Sequence, residues 1–267
     1  MTLPTPYYVS RDGTITLYCA DCLAILPELP SGSVDAVVTD PPYSSGGKFR
    51  SEIIRPTNEK YNGFTCDDNG SRKPSAFYSA FSGDNKDGRL FMAWSKDWMD
   101  AAFQLAKDGA YFACTTDWRQ LPAVTDAMQY ANWSWRGMLV WDKKIGRPVE
   151  GRFRNHVEYV VWGSRGGFSG KPGVYADSVH YETPPNHLER EHVTEKTVGL
   201  IEFVLSVVHD DSTILDPFLG SGTTAVACIK TGRKCIGIEL SEAYCAIAAR
   251  RCEEAFDSQA LFRREAT

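Results

Sequence analysis

The sequence predicts an α/β fold: one mostly parallel sheet with helices on both faces, interrupted by long loop insertions. Three observations carry the prediction. Short apolar runs of strand length, such as Val34 to Thr39, alternate with segments of helical period, an order that implies parallel pairing. Those runs are apolar at nearly every position, as in strands buried on both faces, and right-handed crossovers then put helices on both sides of the sheet. Two of the runs end in an acidic residue followed by proline, at Asp40-Pro41-Pro42-Tyr43 and at Asp216-Pro217.

The elements follow in order. Thr14 to Tyr18 alternates as a short strand, and Cys22 to Leu29 reads as a brief helix broken near Pro27 and Pro30. Val34 to Thr39 is a buried strand. Residues 44 to 90 show no sustained period and are rich in Gly, Ser, Asn, Asp and Lys, so 44–92 reads as a mobile loop insertion. A helix over Trp94 to Lys107 is stopped by Asp108-Gly109, and a strand covers Ala110 to Cys114. A helix from Arg119 to Tyr130 and strands Trp135 to Trp141 and Val157 to Trp162 come next, with turn-rich chain from Gly163 to His192. The last third is regular: helix Val198 to Val208, strand Thr213 to Asp216, helix Thr223 to Lys230, strand Lys234 to Glu239 and helix Glu242 to Phe256.

A chain of 267 residues, 43% hydrophobic, buries one sizeable core, and a single domain over 1–267 is expected. The N-terminus lacks a basic stretch followed by an apolar run, and no segment approaches the roughly eighteen apolar residues of a membrane span, so a soluble, cytoplasmic protein is expected. The eight cysteines sit singly in apolar stretches and read as small core residues in a reducing compartment. Cys19 and Cys22 have metal-ligand spacing, but no second pair of that spacing exists, and no metal site is expected. The formal net charge of −5 excludes a surface coated in positive charge. A local patch remains: Lys143, Lys144, Arg147, Arg152, Arg154, Arg165 and Lys171 face only Glu150 and Glu158, a balance of +5, with Gly and aromatic residues between them as in nucleic-acid grooves.

Two motifs carry chemistry. In Asp40-Pro41-Pro42-Tyr43, a carboxylate, two proline-stiffened carbonyls and an aromatic face stand at a strand mouth, an arrangement suited to holding a planar amine. In Asp216-Pro217-Phe218-Leu219-Gly220-Ser221-Gly222-Thr223-Thr224, a strand ends in an acidic residue, and a glycine turn lets backbone approach a ligand before a helix N-terminus offers N–H groups to an anion. Glu239 ends the next strand, where a carboxylate can accept both hydroxyls of a ribose. A phosphate-binding loop would need a lysine in this turn, and none occurs between Gly220 and Ala227. The dinucleotide fingerprint fits better, with Gly220, Gly222 and Ala225 spaced correctly and Glu239 about twenty residues on. Only one strand follows it, however, too little for a two-half nicotinamide site, and it leaves Asp40-Pro-Pro-Tyr43 without a role.

Taken together, Asp40-Pro-Pro-Tyr43 early, a basic middle and Asp216-Pro-Phe-Leu-Gly-Ser-Gly-Thr-Thr224 late resemble the DNA amino-methyltransferases of the β order, the N6-adenine and N4-cytosine enzymes in which the catalytic motif precedes the cofactor motif. The resemblance implies a Rossmann-like S-adenosylmethionine-dependent methyltransferase fold with a circularly permuted motif order. It implies Asp40, Pro41, Pro42 and Tyr43 as catalytic residues. For the cofactor it implies Asp21 near the adenine, Thr39 and Asp40, Lys196 over the methionine moiety, Asp216, Pro217, Phe218, Gly220, Ser221, Gly222, Thr223 and Thr224 in the glycine turn, and Glu239 and Leu240 at the ribose. After Lys196 the family usually has proline, and this chain has Thr197. Lys48, Arg50 and Arg55 of the insertion would touch phosphates, and Lys143, Lys144, Arg147, Arg152 and Arg154 would border the DNA cleft, with 143–192 as the target-recognition region.

The chemistry so implied is direct methyl transfer from S-adenosylmethionine to an exocyclic amine of a base flipped out of double-stranded DNA and stacked on Tyr43. Carbon-5 cytosine methylation would need a nucleophilic cysteine, commonly after proline, and no Pro-Cys occurs. Aspartate at position 40 resembles the N6-adenine form, and N4-cytosine is the alternative. Glutamine methylation in protein is disfavoured by the first residue of the motif and by the motif order, and a non-catalytic DNA-binding subunit by the intact Asp40 and Asp216. The chain resembles the small solitary enzymes often carried by phages and prophages, and its motif order admits a homodimer.

Overall fold

The computed structural model describes residues 4–43, 64–66, 72–74, 88–146, 148–184 and 196–265. Strands β1 (Tyr8–Val9) and β2 (Ile15–Cys19) lead into a one-turn helix α1 (Cys22–Ile25) and a 3-10 turn, Leu26–Glu28, whose proline interrupts regular α-helical pairing. Strand β3 (Val34–Thr39) follows, then an antiparallel pair, β4 (Phe64–Cys66) with β5 (Arg72–Pro74). Next come α2 (Gly88–Leu105), β6 (Ala106–Thr116), α3 (Leu121–Tyr130), β7 (Ser134–Asp142), β8 (Val157–Ser164) and β9 (Val179–Tyr181). The chain closes with α4 (Val198–Leu205), β10 (Thr213–Asp216), α5 (Thr223–Thr231), β11 (Lys234–Glu239) and α6 (Glu242–Glu265).

Nine strands form one sheet in the order β1-β2-β11-β10-β3-β6-β8-β7-β9. From β2 through β6 every pairing is parallel; β1 and β8 run antiparallel to their neighbours, and β9 adds parallel to β7. Strand periodicity sorts side chains to two cores. Val37, Phe112 and Leu215 face one cluster with Leu26, Trp98, Met99 and Met128, while Ala36, Val38, Tyr111 and Ile214 face another with Leu200, Leu205, Ala225 and Ala248. Thus α1, α2 and α3 cover one face, and α4, α5 and α6 the other, as the alternation of elements requires.

Expected and observed elements differ at several places, among them the unread strand β1 and the β4–β5 pair within the expected loop insertion. The helix expected from Trp94 begins at Gly88, because the apolar stripe includes Phe91, which is fully buried. Asp108-Gly109 does not stop a helix: Gly109, at φ +81°, lies in β6, where the register against β3 shifts between Val34 and Ala36. The turn-rich chain from Gly163 holds the short edge strand β9, and α6 runs past Phe256 to Glu265. Cys19, Cys22, Cys114, Cys228, Cys235, Cys245 and Cys252 carry free thiols, and among the described residues no helix is long and apolar enough to cross a membrane.

The connection β3-α2-β6 moves one way across the sheet, and β10-α5-β11 moves the other way with its helix on the opposite face. Adjacent β3 and β10 therefore flank the point where strand order reverses, and the carboxyl ends of such strands open a crevice that binds ligands in α/β sheets.

Candidate active site

Both motifs stand at that crevice. Thr39 ends β3 and Asp216 ends β10, and the Thr39 hydroxyl donates across the switch point to Asp216 Oδ1 at 2.6 Å. The Phe218 amide donates to the same oxygen at 3.0 Å. Asp216 is 2% exposed, and burial raises its carboxyl from 3.8 to about 6 despite hydrogen bonds from Thr224, Thr39 and Phe218 that oppose the rise.

The glycine turn is built as expected. Gly220 has φ +56° and Gly222 φ +92°, conformations that disfavour side chains, and Gly222 caps α5. A Cβ on Gly222 would stand 2.9 Å from that of Ala248, so the glycine lets the turn pack on α6, whereas one on Gly220 would meet nothing within 4 Å. Glu239 steadies the turn: its Oε2 accepts from the Gly220 amide at 3.0 Å and its Oε1 from the Ser241 amide at 2.8 Å. Burial raises this carboxyl as well. Pro217, Ser221, Thr223 and Thr224 are buried, and Arg251 donates to Ser221 Oγ at 2.8 Å. Phe218 turns into the first core, with ring centroids 5.2 Å from both Trp94 and Trp98. Leu240 is exposed, and so is Asp21, whose carboxylate caps α1 by accepting from the Leu23 amide.

Asp40 sits in a dense polar network. Its Oδ1 accepts from the Tyr43 and Thr115 hydroxyls, and its Oδ2 from Lys196 Nζ at 2.7 Å. Pro41 is buried, and Pro42 and Tyr43 are partly so. Lys196 is 5% exposed; its ammonium lies 5.0 Å from the Tyr43 ring centroid and 3.3 Å from Glu158 Oε2. Glu158 Oε1 in turn accepts from Lys143 at 2.7 Å. Burial opposes charge on Lys196, but Asp40 and Glu158 outweigh it and raise the ammonium above its usual value. Likewise burial would raise Glu158, but Lys196 and Lys143 hold it below. Burial, then Asp40 and Glu158, push the Tyr43 phenol well up, so it stays a donor.

These partners arrive from separate elements by topology. Thr115 is the last residue but one of β6, and β8 runs antiparallel to it, so Glu158 at the start of β8 returns to the same edge; Lys143 follows β7 there. Thr197 caps α4, accepting from the Leu200 amide at 3.1 Å, which fixes Lys196 just before the helix. Its φ of −74° is one that proline also adopts, so the departure from the family pattern exchanges a rigid residue for a capping one.

Of the expected DNA-contacting residues, Lys48, Arg50, Arg55 and Arg147 lie outside the described residues. Lys144, Arg152 and Arg154 are exposed on the β7–β8 loop at the sheet edge that bears Asp40, around the fully exposed Phe153, while Lys143 is turned inward onto Glu158. The basic stretch is split by β8: Arg165 is bonded to the Phe103 and Ala106 carbonyls and Lys171 is paired with Asp210, both at the far edge. Sequence reasoning missed Thr115 and Glu158. The available signal for Glu158 was a lone carboxylate in the apolar strand Val157-Glu158-Tyr159-Val160-Val161.

A family model described as DNA methylase, N6_N4_Mtase, matches residues 34–250, from the start of β3 into α6. Type II methyltransferase M2.MboI of Moraxella bovis is 23% identical over 271 residues, covering 93% of this chain and 91% of that protein. The crystal structure of the M1.HpyAVI–SAM complex superposes with a TM-score of 0.63 at 21% identity, covering 89% of this chain and 98% of that one. PvuII DNA methyltransferase, described as cytosine-N4-specific, gives a TM-score of 0.66 at 17% identity over 94% and 93% of the two chains. These structures share the fold, and the family match spans both motifs and the strands that bring them together. With Asp40 and Asp216 meeting at one switch point, the chain belongs to the N6/N4 DNA methylase family.

Proposed function

We propose that the protein transfers a methyl group from S-adenosylmethionine to the N6 amino group of adenine in double-stranded DNA, acting on a base flipped out of the helix. The observation that carries this reading is Asp40 at the carboxyl end of β3, directly beside the glycine turn after β10.

The residues at that turn fit the cofactor. Asp216 and Glu239 are two carboxylates raised by burial, and each gains from a cationic or hydrogen-bonding ligand. Glu239 spends one lone pair per oxygen on backbone amides and keeps others for ribose hydroxyls. Gly220 leaves open space over the turn, and the first turn of α5 would hold the methionine carboxylate. Asp21 and Leu240 would border the adenosine. When bound, S-adenosylmethionine supplies an electrophilic methyl carbon on a sulfonium.

The chain's own work is orientation and electrostatics. Conjugation spreads an exocyclic amine's lone pair into the ring. Asp40 and the Pro41 carbonyl, accepting its hydrogens, would localise that pair, and no covalent enzyme intermediate is needed. Tyr43 offers a stacking face, worth about 1–3 kcal/mol per base against the cost of extrusion. Lys144, Arg152 and Arg154 would contact the duplex. Aspartate rather than serine at position 40 favours adenine over N4-cytosine.

Asp40→Ala tests the assignment. Methyl transfer should fall at least a thousandfold while calorimetric affinity for S-adenosylmethionine stays within a few-fold; unchanged turnover would remove Asp40 from the mechanism.

A further inference from the structure

The network around Asp40 poses a problem for the chemistry just proposed. Oδ1 already faces two hydroxyls, from Tyr43 and Thr115, which themselves lie 2.8 Å apart, so it is the more crowded of the two oxygens. Oδ2 remains for an amine hydrogen, but Lys196 holds it at 2.7 Å. An oxygen whose density is drawn toward an ammonium is a weak acceptor, and localising the amine's lone pair needs a strong one.

The structure also holds an alternative seat for that ammonium. Glu158 Oε2 is buried and meets Lys196 only as an ion pair, short of a well-aligned hydrogen bond, an arrangement weaker than a full charge-assisted bond. It lies 3.3 Å from Lys196 Nζ, outside hydrogen-bonding geometry, while the other oxygen is held by Lys143. A shift of the Lys196 head would satisfy Oε2 and release Asp40 Oδ2 without moving charge out of the site.

We infer that Glu158 is a positioning residue for methyl transfer: it takes over Lys196 when the amine of the target base engages Asp40. Lys196 thereby serves as a placeholder on Asp40 while no base is bound. The inference rests on the methyl-transfer reading above but not on which base carries the amine.

The hand-off predicts a pattern that a structural role for Glu158 would not give. With Glu158→Gln, Lys196 loses its anionic alternative and stays on Asp40. Single-turnover transfer from radiolabelled S-adenosylmethionine to unmethylated bacterial genomic DNA should slow at least tenfold, with cofactor affinity within threefold. In the charge-balanced double variant Glu158→Gln/Lys196→Met, assayed at saturating S-adenosylmethionine because Lys196 is also expected over the methionine moiety, no ammonium draws on Asp40 Oδ2, and the rate should recover at least fivefold over Glu158→Gln. A structural role predicts a double variant as slow as the single or slower, and that result, or a Glu158→Gln rate within threefold of wild type, overturns the inference. If Glu158→Gln does not fold, Glu158→Asp, which keeps the charge but withdraws it by one methylene, should slow transfer at least threefold; an unchanged rate overturns the inference equally. Wild-type protein that methylates no DNA would instead bring down the underlying reading, so the two failures are distinct.

Discussion

Replacing Asp216 by Asn should make the cofactor-free protein more stable at pH 8 and less able to bind S-adenosylmethionine. The Asp216 carboxyl is raised from 3.8 to about 6, with burial the largest cause. At about 1.4 kcal/mol per pKa unit, this corresponds to about 3 kcal/mol against the charged form in the folded state. For an acid whose folded pKa is raised, stability is fully present below the unfolded pKa and is lost as pH rises through the folded one. The penalty is therefore complete at pH 8, about 1 kcal/mol at pH 4.5, and absent below about pH 3. Asparagine keeps the acceptor at Oδ1 that serves both Thr39 and Phe218, and the Thr224 hydroxyl, which donates to the carboxylate, can turn to accept from the amide, so the substitution removes the buried charge while its partners stay bonded. Urea unfolding of wild type and Asp216→Asn at the two pH values measures the difference. A gain of about 3 kcal/mol at pH 8 that shrinks to about 1 kcal/mol at pH 4.5 is expected. A gain independent of pH, or a loss at pH 8, refutes the assignment of the strain to an ionised buried carboxylate. In the same variant, S-adenosylmethionine affinity should fall roughly tenfold or more, because the ligand's cationic groups lose their counter-charge. On the proposed reading, stability is conceded at Asp216 for a site that would bind a cation.

Three further outcomes follow from the geometry. Glu239→Ala removes the acceptor for the Gly220 and Ser241 amides and should weaken cofactor binding by roughly tenfold or more in calorimetry, with folding retained. Arg152→Ala/Arg154→Ala should weaken DNA binding and lower the slope of log K against log salt by about 1.8, since each phosphate contact contributes about 0.9; an unaltered slope takes the β7–β8 loop out of the interface. Gly222→Ala puts a Cβ 2.9 Å from that of Ala248 at φ +92°, and chemical unfolding should report a loss of about 2 kcal/mol.

The parallel centre of the sheet was legible because burial on both faces leaves an unmistakable apolar run: β3, β10 and β11 have the bounds read from sequence. The edge strands β1 and β9, two and three residues long, carry no period at all. Helix α6 runs past the bound read at Phe256 to Glu265, through Ala260, Leu261 and Phe262 and with no glycine or proline to end it. The two motifs were readable because each is contiguous. Thr115 and Glu158 were not, since only the pairing of β6 with β3 and β8 brings them to Asp40. Lys196 was expected over the methionine moiety; the helix start at Val198 was read from the sequence, but the contact of Lys196 with Asp40 and Glu158 depends on how α4 sits against the sheet, which no local pattern specifies.

Nucleoside mass spectrometry of DNA from cells expressing the wild-type chain or Asp40→Ala, in a host lacking its own DNA methylation, tests the central claim most directly. N6-methyladenine is expected with the wild-type chain and none with Asp40→Ala. N4-methylcytosine in its place would contradict the base assignment, and the absence of any methylated base with the wild-type chain would contradict the account as a whole.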